Sequence, residues 1–257
     1  IALNLALCGA ETKLICALGE DVYAQAAIKE ADSFGLDISH SLIANDMTSS
    51  VYLCLCNEKG DMETAINDMS VINSLSPNFL NEKKDIIQNA SLIVIDCNLP
   101  QDSIDYILST AKTQVFADTV SAVKAEKLSG RLDKLHTIKP NRAEAEVLSG
   151  VRITDINTAA KAARVLIKKG LERVFITLGS EGVYCAEKKS SSELYMPVEG
   201  FKPVNATGAG DAFMAAVAYA YIKGFDLKKT ASVGMSAARQ AALTAETVNY
   251  KINIEEG

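Results

Sequence analysis

Short apolar runs alternate along this chain with stretches in which apolar residues return every three or four positions. A continuous apolar run of a few residues marks a strand buried on both faces, and the longer period marks a helix with one covered side. "TKLICALG" (12–19) predicts a strand and 21–34 a helix. "SLIVID" (91–96) predicts a buried strand, followed by a helix over 101–112, strands at "QVFAD" (114–118) and "LHTIKPN" (135–141), and helices near 142–149 and 157–169. "RVFITLGSEG" (173–182) predicts a strand ending in a glycine-bearing turn, "GVYCAE" (182–187) continues the sheet, and helices near 209–223 and 226–245 close the pattern. This alternation predicts an α/β fold, a doubly wound, mostly parallel sheet flanked by helices.

Two stretches depart from that rhythm. "VYLCLC" (51–56) and "METAIN" (62–67) are extended runs joined by "NEKGD", with Gly60 in the connection, which predicts a hairpin. It reads as a small β lid at about 48–68 that stands off the main sheet. "IALNLALCG" opens at Ile1 in the middle of an apolar helical pattern, so a preceding segment is expected. No linker or low-complexity tract divides the chain, and residues 1–257 read as one domain.

Charge and composition narrow the function. The hydrophobic fraction of 48% is enough to fill a substantial core. The net charge is −6 and the pI near 5.1, with no basic block. Binding a phosphate backbone or an anionic membrane needs clustered Lys and Arg, so neither is expected as a partner. Any anionic ligand must be held locally, by backbone amides or a few cations. No apolar run reaches the roughly 18 residues that span a bilayer, and the start lacks the basic residues of a signal peptide. Cys8, Cys16, Cys54, Cys56, Cys97 and Cys185 form no CxxC pair, and His40 and His136 are the two histidines. The cysteines read as small buried hydrophobes of a reducing, cytoplasmic compartment, in neither a disulfide nor a zinc site.

The candidate chemistry lies in "NATGAGDAFMAAVAYAY" (205–221), where two glycines and a lone carboxylate precede an uncharged helix. A helix start offers unpaired N–H groups and the positive end of its dipole, and glycines let an anion approach that backbone. A dinucleotide fingerprint would need glycine where Phe213 stands, and the Gly-Lys-Ser/Thr of a phosphate-binding loop is absent. A plain cap, with Thr207 as N-cap, would place its acid at Gly210 rather than at Asp211. The amides of Gly208, Ala209 and Gly210 therefore suit a transferring phosphoryl group, and Asp211 suits the general base that takes the proton of an attacking hydroxyl.

"NATGAGDAF" resembles the signature of the ribokinase-like (phosphofructokinase-B-type) carbohydrate and nucleoside kinases. The resemblance runs through the chain in order: "LICALGEDVYAQAAIKEADSFGLD", the lid hairpin "TSSVYLCLCNEKGDMETAINDM", "KPNRAEAEVLSG" and "ITLGSEGVY". "INDM", "DCNLP", "DTVSAVKAEKL" and "LHTIKPNRAEAE" are similar to the pseudouridine kinases of that family, which phosphorylate a 5′-hydroxyl.

The resemblance implies ATP and Mg²⁺, with Asn141 and Glu144 helping to place the metal and phosphates, and Thr177, Gly179 and Gly182 lying along the nucleotide. Read from the residues alone, Asn141 and Glu144 after Pro140 are equally a capping box, and the glycines an ordinary turn. Lys139 has no assigned role, being either a phosphate contact or a solvated lysine. Asn98 falls where the family places a polar substrate contact. Asp118 and Lys124 suit either ligand contact or a surface ion pair. Thr48, Ser49, Asn67 and Asp68 border the lid and are either nucleoside contacts or turn residues. Family members place a substrate aspartate and a Gly-Gly stretch upstream of where Ile1 falls. Asn205 stands where many relatives carry Asp near a monovalent-cation site, which leaves that cation open. Relatives that pair their lids imply a homodimer.

Overall fold

The computed structural model describes residues 1–56, 62–198, 200 and 202–253. The chain begins with α1 (Ala2–Leu7), β1 (Ala17–Gly19), α2 (Val22–Ser33) and β2 (Leu42–Ala44), then the hairpin β3 (Val51–Cys56) and β4 (Met62–Asp68). Next come α3 (Pro77–Glu82), α4 (Lys84–Asn89), β5 (Ile93–Asp96), α5 (Gln101–Thr110), β6 (Val115–Asp118), α6 (Ala122–Ala125), β7 (Thr137–Ile138) and α7 (Arg142–Ser149). It closes with α8 (Ile156–Lys168), β8 (Arg173–Thr177), β9 (Val183–Glu187), β10 (Ser192–Met196), α9 (Ala209–Ile222) and α10 (Leu227–Ala242).

The central sheet has the order β10-β9-β8-β7-β6-β5. Strands β5 to β8 are parallel, and β9 and β10 extend the sheet antiparallel. Successive side chains divide between two cores, as a pleated strand requires. Ile95, Ala117, Ile138, Val174, Ile176 and Tyr184 pack with residues of α5, α7 and α8. Phe116, Phe175, Val183 and Cys185 pack with α1, α9 and α10. Helix α9 is buried continuously from Ala212 to Ala220, which its all-round apolar sequence demands. The approach of α10 depends on Gly234, where a Cβ would stand 2.8 Å from the Phe213 ring.

The strand expected at 12–19 contracts to β1, which pairs in parallel with β2, a strand the pattern did not signal. This pair is separate from the central sheet and covers its own cluster of Ala17, Ala44, Val71 and Leu75. Likewise 135–141 keeps only β7 and an isolated bridge from Asn141 to Thr177, because Pro140 has no N–H to continue the ladder. The hairpin forms as expected and exposes Val51, Tyr52, Leu53, Leu55 and Ile66. Its Gly60 and the side chains of Cys54 and Cys56 lie outside the described residues. Cys97 and Cys185 are buried and Cys8 and Cys16 half-buried. Burial pushes the Cys97 thiol up to about 12. Among the described residues no helix is long and apolar enough to cross a membrane.

Candidate active site

A cavity of about 240 Å³ opens where three strands end and two helices, α7 and α9, begin. It is lined by Asp118 and Val120 after β6, Lys139, Asn141 and Glu144 at the β7–α7 corner, Thr177 at the end of β8, and Gly208, Gly210 and Asp211 at the start of α9. In open α/β sheets ligands collect at this edge.

Gly208 is the N-cap of α9 with φ 87°, and a Cβ there would stand 1.9 Å from the Thr247 carbonyl oxygen, so glycine alone fits. Thr207 does not cap the helix; its N–H donates to Asn205 Oδ1 at 2.9 Å, and no side chain caps α9. The Ala209 N–H reaches the Ala206 carbonyl at 3.3 Å, and Ala209 is not among the lining residues. Asp211 is exposed in the first turn.

Asn141 and Glu144 form the capping box of α7, and they also line the cavity. The Glu144 carboxylate is buried and accepts from the Asn141 N–H at 2.8 Å, from Asn141 Nδ2 at 2.7 Å and from the Thr119 hydroxyl at 2.5 Å. The structural and the chemical reading of this motif therefore describe the same geometry. Thr119, fully buried, escaped the sequence reading because nothing in "ADTVS" marks a hydroxyl that turns inward.

The strand ends carry a row of charges. Asp96 pairs in register with Asp118, and Lys139 follows Ile138, which is in register with Ala117. Asp118 is buried and its partner is Lys139, at 3.3 Å, rather than Lys124, so of the two readings of Asp118 and Lys124 the surface ion pair does not form. The Asp96 carboxyl is raised, first by burial and then by the negative charge of Asp118, against the lowering hydrogen bond from the Asn98 N–H. Val120 adopts φ 63°, unusual for a β-branched residue, with its N–H donating to Asp118 Oδ1 at 3.0 Å.

The other predicted residues fall around this cavity. Lys124 donates to Asn98 Oδ1 at 2.5 Å and to Met69 Sδ at 3.5 Å, which joins the end of β5 to the base of the hairpin. Ser49 is buried in a structural cluster: its hydroxyl donates to Asp21 Oδ1 at 2.8 Å and accepts from the Gly19 N–H at 3.0 Å, which uses its donor and an acceptor. Asp68 accepts from the Ser70 N–H at 2.9 Å as a turn residue, and Thr48 and Asn67 are exposed. Gly179 and Gly182 shape the turn after Thr177. A Cβ on Gly182 would stand 2.1 Å from the Met196 carbonyl oxygen. Asn205 Nδ2 donates to the Ala245 carbonyl at 3.0 Å, a bond an aspartate could not make.

Comparison with known proteins agrees with this architecture. The chain is 35% identical over 255 residues to the pseudouridine kinase of Escherichia coli K12, covering 99% of this chain and 81% of that protein. A putative sugar kinase from Clostridium perfringens superposes with a TM-score of 0.87 at 29% identity, over 99% of this chain and 80% of that one. A putative ribokinase II from E. coli, solved in complex with ATP and Mg²⁺, superposes with a TM-score of 0.83 over 99% of this chain and 84% of that one; at 16% identity this likeness carries the fold alone. The profile of the pfkB family of carbohydrate kinases matches residues 1–252, and the chain belongs to that family, phosphotransferases that act on a hydroxyl group.

Proposed function

We propose that the protein transfers the terminal phosphoryl group of ATP to the 5′-hydroxyl of pseudouridine. The supporting observation is the convergence of Asp211, the glycine-built start of α9 and the Asn141–Glu144 box on one cavity. Asp211 accepts the proton of the primary hydroxyl. The first-turn amides of α9, at Gly208 and Gly210 above all, face negative charge as it develops on the transferring group. The all-buried α9 holds both in place, because a helix packed on every side has no freedom to shift its first turn.

The residues present fit Mg²⁺ carried by the nucleotide. Among the described residues no cluster of three or more His, Cys, Asp or Glu forms a dedicated metal site, and Mg²⁺ in such enzymes is held by one or two carboxylates together with substrate phosphates and waters. Glu144 already accepts three protein hydrogen bonds and would hold the ion through water. Bound there, the ion would neutralise charge between the phosphates.

Asn98 and Lys124, joined to the hairpin base through Met69, form the polar wall on the nucleoside side. The apolar outer face of the hairpin is the surface through which two copies pair, and the compartment is the cytoplasm. The test is ADP release with Mg-ATP, offering pseudouridine, uridine and ribose separately and Asp211→Asn as control. Turnover on pseudouridine alone supports the full reading. Turnover on ribose or uridine instead keeps the kinase and discards the substrate. Nucleoside binding without turnover would make the protein a sensor.

A further inference from the structure

We infer that Lys127 is a positioning residue on the nucleoside side: it holds the turn at 97–99 so that the Asn98 side chain aims an N–H donor at an oxygen of the substrate. This deepens, and rests on, the kinase reading above. Lys127 is not among the residues that line the cavity around Asp211.

The turn follows β5, at the sheet edge where ligands collect, and its backbone hydrogen bonds can be accounted for in full. The Cys97 N–H donates to the Asp118 carbonyl at 3.0 Å, which extends the β5–β6 ladder by one bond. The Asn98 N–H donates to Asp96 Oδ1 at 2.7 Å, and the Leu99 N–H to the Asp96 carbonyl at 3.4 Å. The three carbonyls converge on one ammonium. Lys127 Nζ donates to the Cys97 carbonyl at 2.9 Å, the Leu99 carbonyl at 2.7 Å and the Asn98 carbonyl at 3.5 Å.

The remaining polar group of the turn is the Asn98 amide. Lys124 Nζ stands 2.5 Å from its Oδ1. An ammonium has donors and no acceptor, so the amide oxygen faces Lys124 and the NH2 group faces away from it. Asn98 therefore offers donors alone, and it recognises an oxygen that accepts, a hydroxyl or carbonyl of the kind a nucleoside carries.

A staple for a surface turn needs one lysine. Here Lys124, near the end of α6, and Lys127, in the Glu126–Leu128 turn that continues it, reach the same turn from three positions apart. Like charges so close on one helical segment oppose each other, yet their tasks differ. Lys127 takes the backbone and sets where the amide stands; Lys124 takes the side chain and sets which end it shows. Without Lys127 the peptide groups on both sides of the Asn98 Cα lose their anchor, and the amide swings with them.

The experiment starts with calorimetric binding of pseudouridine, uridine and ribose to the wild type. A double-mutant cycle over Lys127→Met and Asn98→Ala follows, with whichever of the three binds tightest. We expect Lys127→Met to weaken that substrate about 2–10-fold, the range for one hydrogen bond between uncharged groups, with affinity for the β,γ-imido analogue of ATP unchanged. In the Asn98→Ala background the same substitution has no further effect, because a residue that acts through Asn98 has nothing left to act on. Lys127→Arg, which keeps the charge and the donors, restores most of the affinity. Lys127→Gln, which keeps a donor but reaches less far, takes the place of Lys127→Met in the cycle if the latter fails to fold. Full substrate affinity in Lys127→Met, equal weakening of substrate and analogue, or additive effects of the two substitutions overturn the inference and leave the kinase reading intact. A wild type that binds the analogue but none of the three substrates overturns both. A wild type that binds a substrate without phosphorylating it overturns the proposed function alone, and the cycle still decides the role of Lys127.

Discussion

Replacing Gly208 with alanine separates backbone strain from steric clash at the start of α9. The φ of 87° at Gly208 and the φ of 75° at Gly150, which ends α7, are alike. An L-residue in that region is destabilised by about 1–2 kcal/mol in either place. The surroundings differ. A Cβ at Gly150 meets nothing within 4 Å, whereas at Gly208 it meets the Thr247 carbonyl oxygen at 1.9 Å. Thr247 cannot simply give way, because its segment is tied by Asn205 Nδ2 to the Ala245 carbonyl at 3.0 Å and by Asn249 Nδ2 to the Gln240 carbonyl at 3.1 Å. Displacing the segment breaks one or two hydrogen bonds at about 1 kcal/mol each, so Gly208→Ala destabilises by about 2–4 kcal/mol in all. For a chain of this size that lowers the midpoint by about 4–12 °C, against about 2–6 °C for Gly150→Ala. Scanning calorimetry of the two variants beside the wild type reads the difference. Equal midpoints for the two would refute the argument, since they share the strain and differ only in the clash.

Three further outcomes are expected. Asp211→Asn lowers kcat by about 10²–10⁴-fold, the range for lost general-base catalysis, with ATP binding intact; undiminished turnover in steady-state assays removes Asp211 from the role. Thr119→Val takes one donor from the Glu144 carboxylate and raises the Mg²⁺ concentration for half-maximal rate by about 10–100-fold, as outer-sphere changes do; an unaltered Mg²⁺ titration shows that Glu144 does not serve the ion. The Asp37 carboxyl is held down at about 2, first by the Ser39 hydroxyl, then by the Ser39 N–H, with Lys13 adding less. Because the folded value lies below the unfolded one, this contribution is complete above the usual carboxylate range, about pH 4, and disappears as pH falls through about 2. Urea midpoints of Asp37→Asn should therefore fall less steeply on acidification than those of the wild type, and parallel acid limbs would contradict the sign.

Much of the fold was legible because its buried strands are continuous apolar runs, α8 and α10 carry the 3.6-residue period, and α9 is a long apolar stretch behind a glycine-rich start. The short elements were not. β2 has three residues and α6 four, too few to show any period. The start of α3 did carry a signal, Ser76 before Pro77, with the serine accepting from the Phe79 N–H at 3.4 Å. At the site, "TGAGD" was readable because glycines and a charge in so apolar a context have few other uses. Ser49 was not: its demand comes from Asp21, 28 positions away, which caps α2 through the Ala24 N–H while accepting from the Ser49 N–H and hydroxyl.

The pairing of Asp118 shows what kind of information a linear reading lacks. Lys124 lies six positions on and Lys139 twenty-one, and nearness along the chain favoured the first. Sheet order decides for the second. β6 and β7 are adjacent parallel strands whose last registered pair is Ala117 with Ile138, so the next residue of each, Asp118 and Lys139, leave the sheet side by side. The other neighbour of β6 is β5, whose register places Asp96 against Asp118. Helix α6 carries Lys124 away to that side, where it meets Asn98. Two carboxylates adjacent at one sheet edge would repel; distributing one lysine to each side of Asp118 relieves this and leaves Lys139 next to Gly210. The cation that faces the start of α9 is thus selected by which strands are neighbours, a property that appears only once the sheet is assembled.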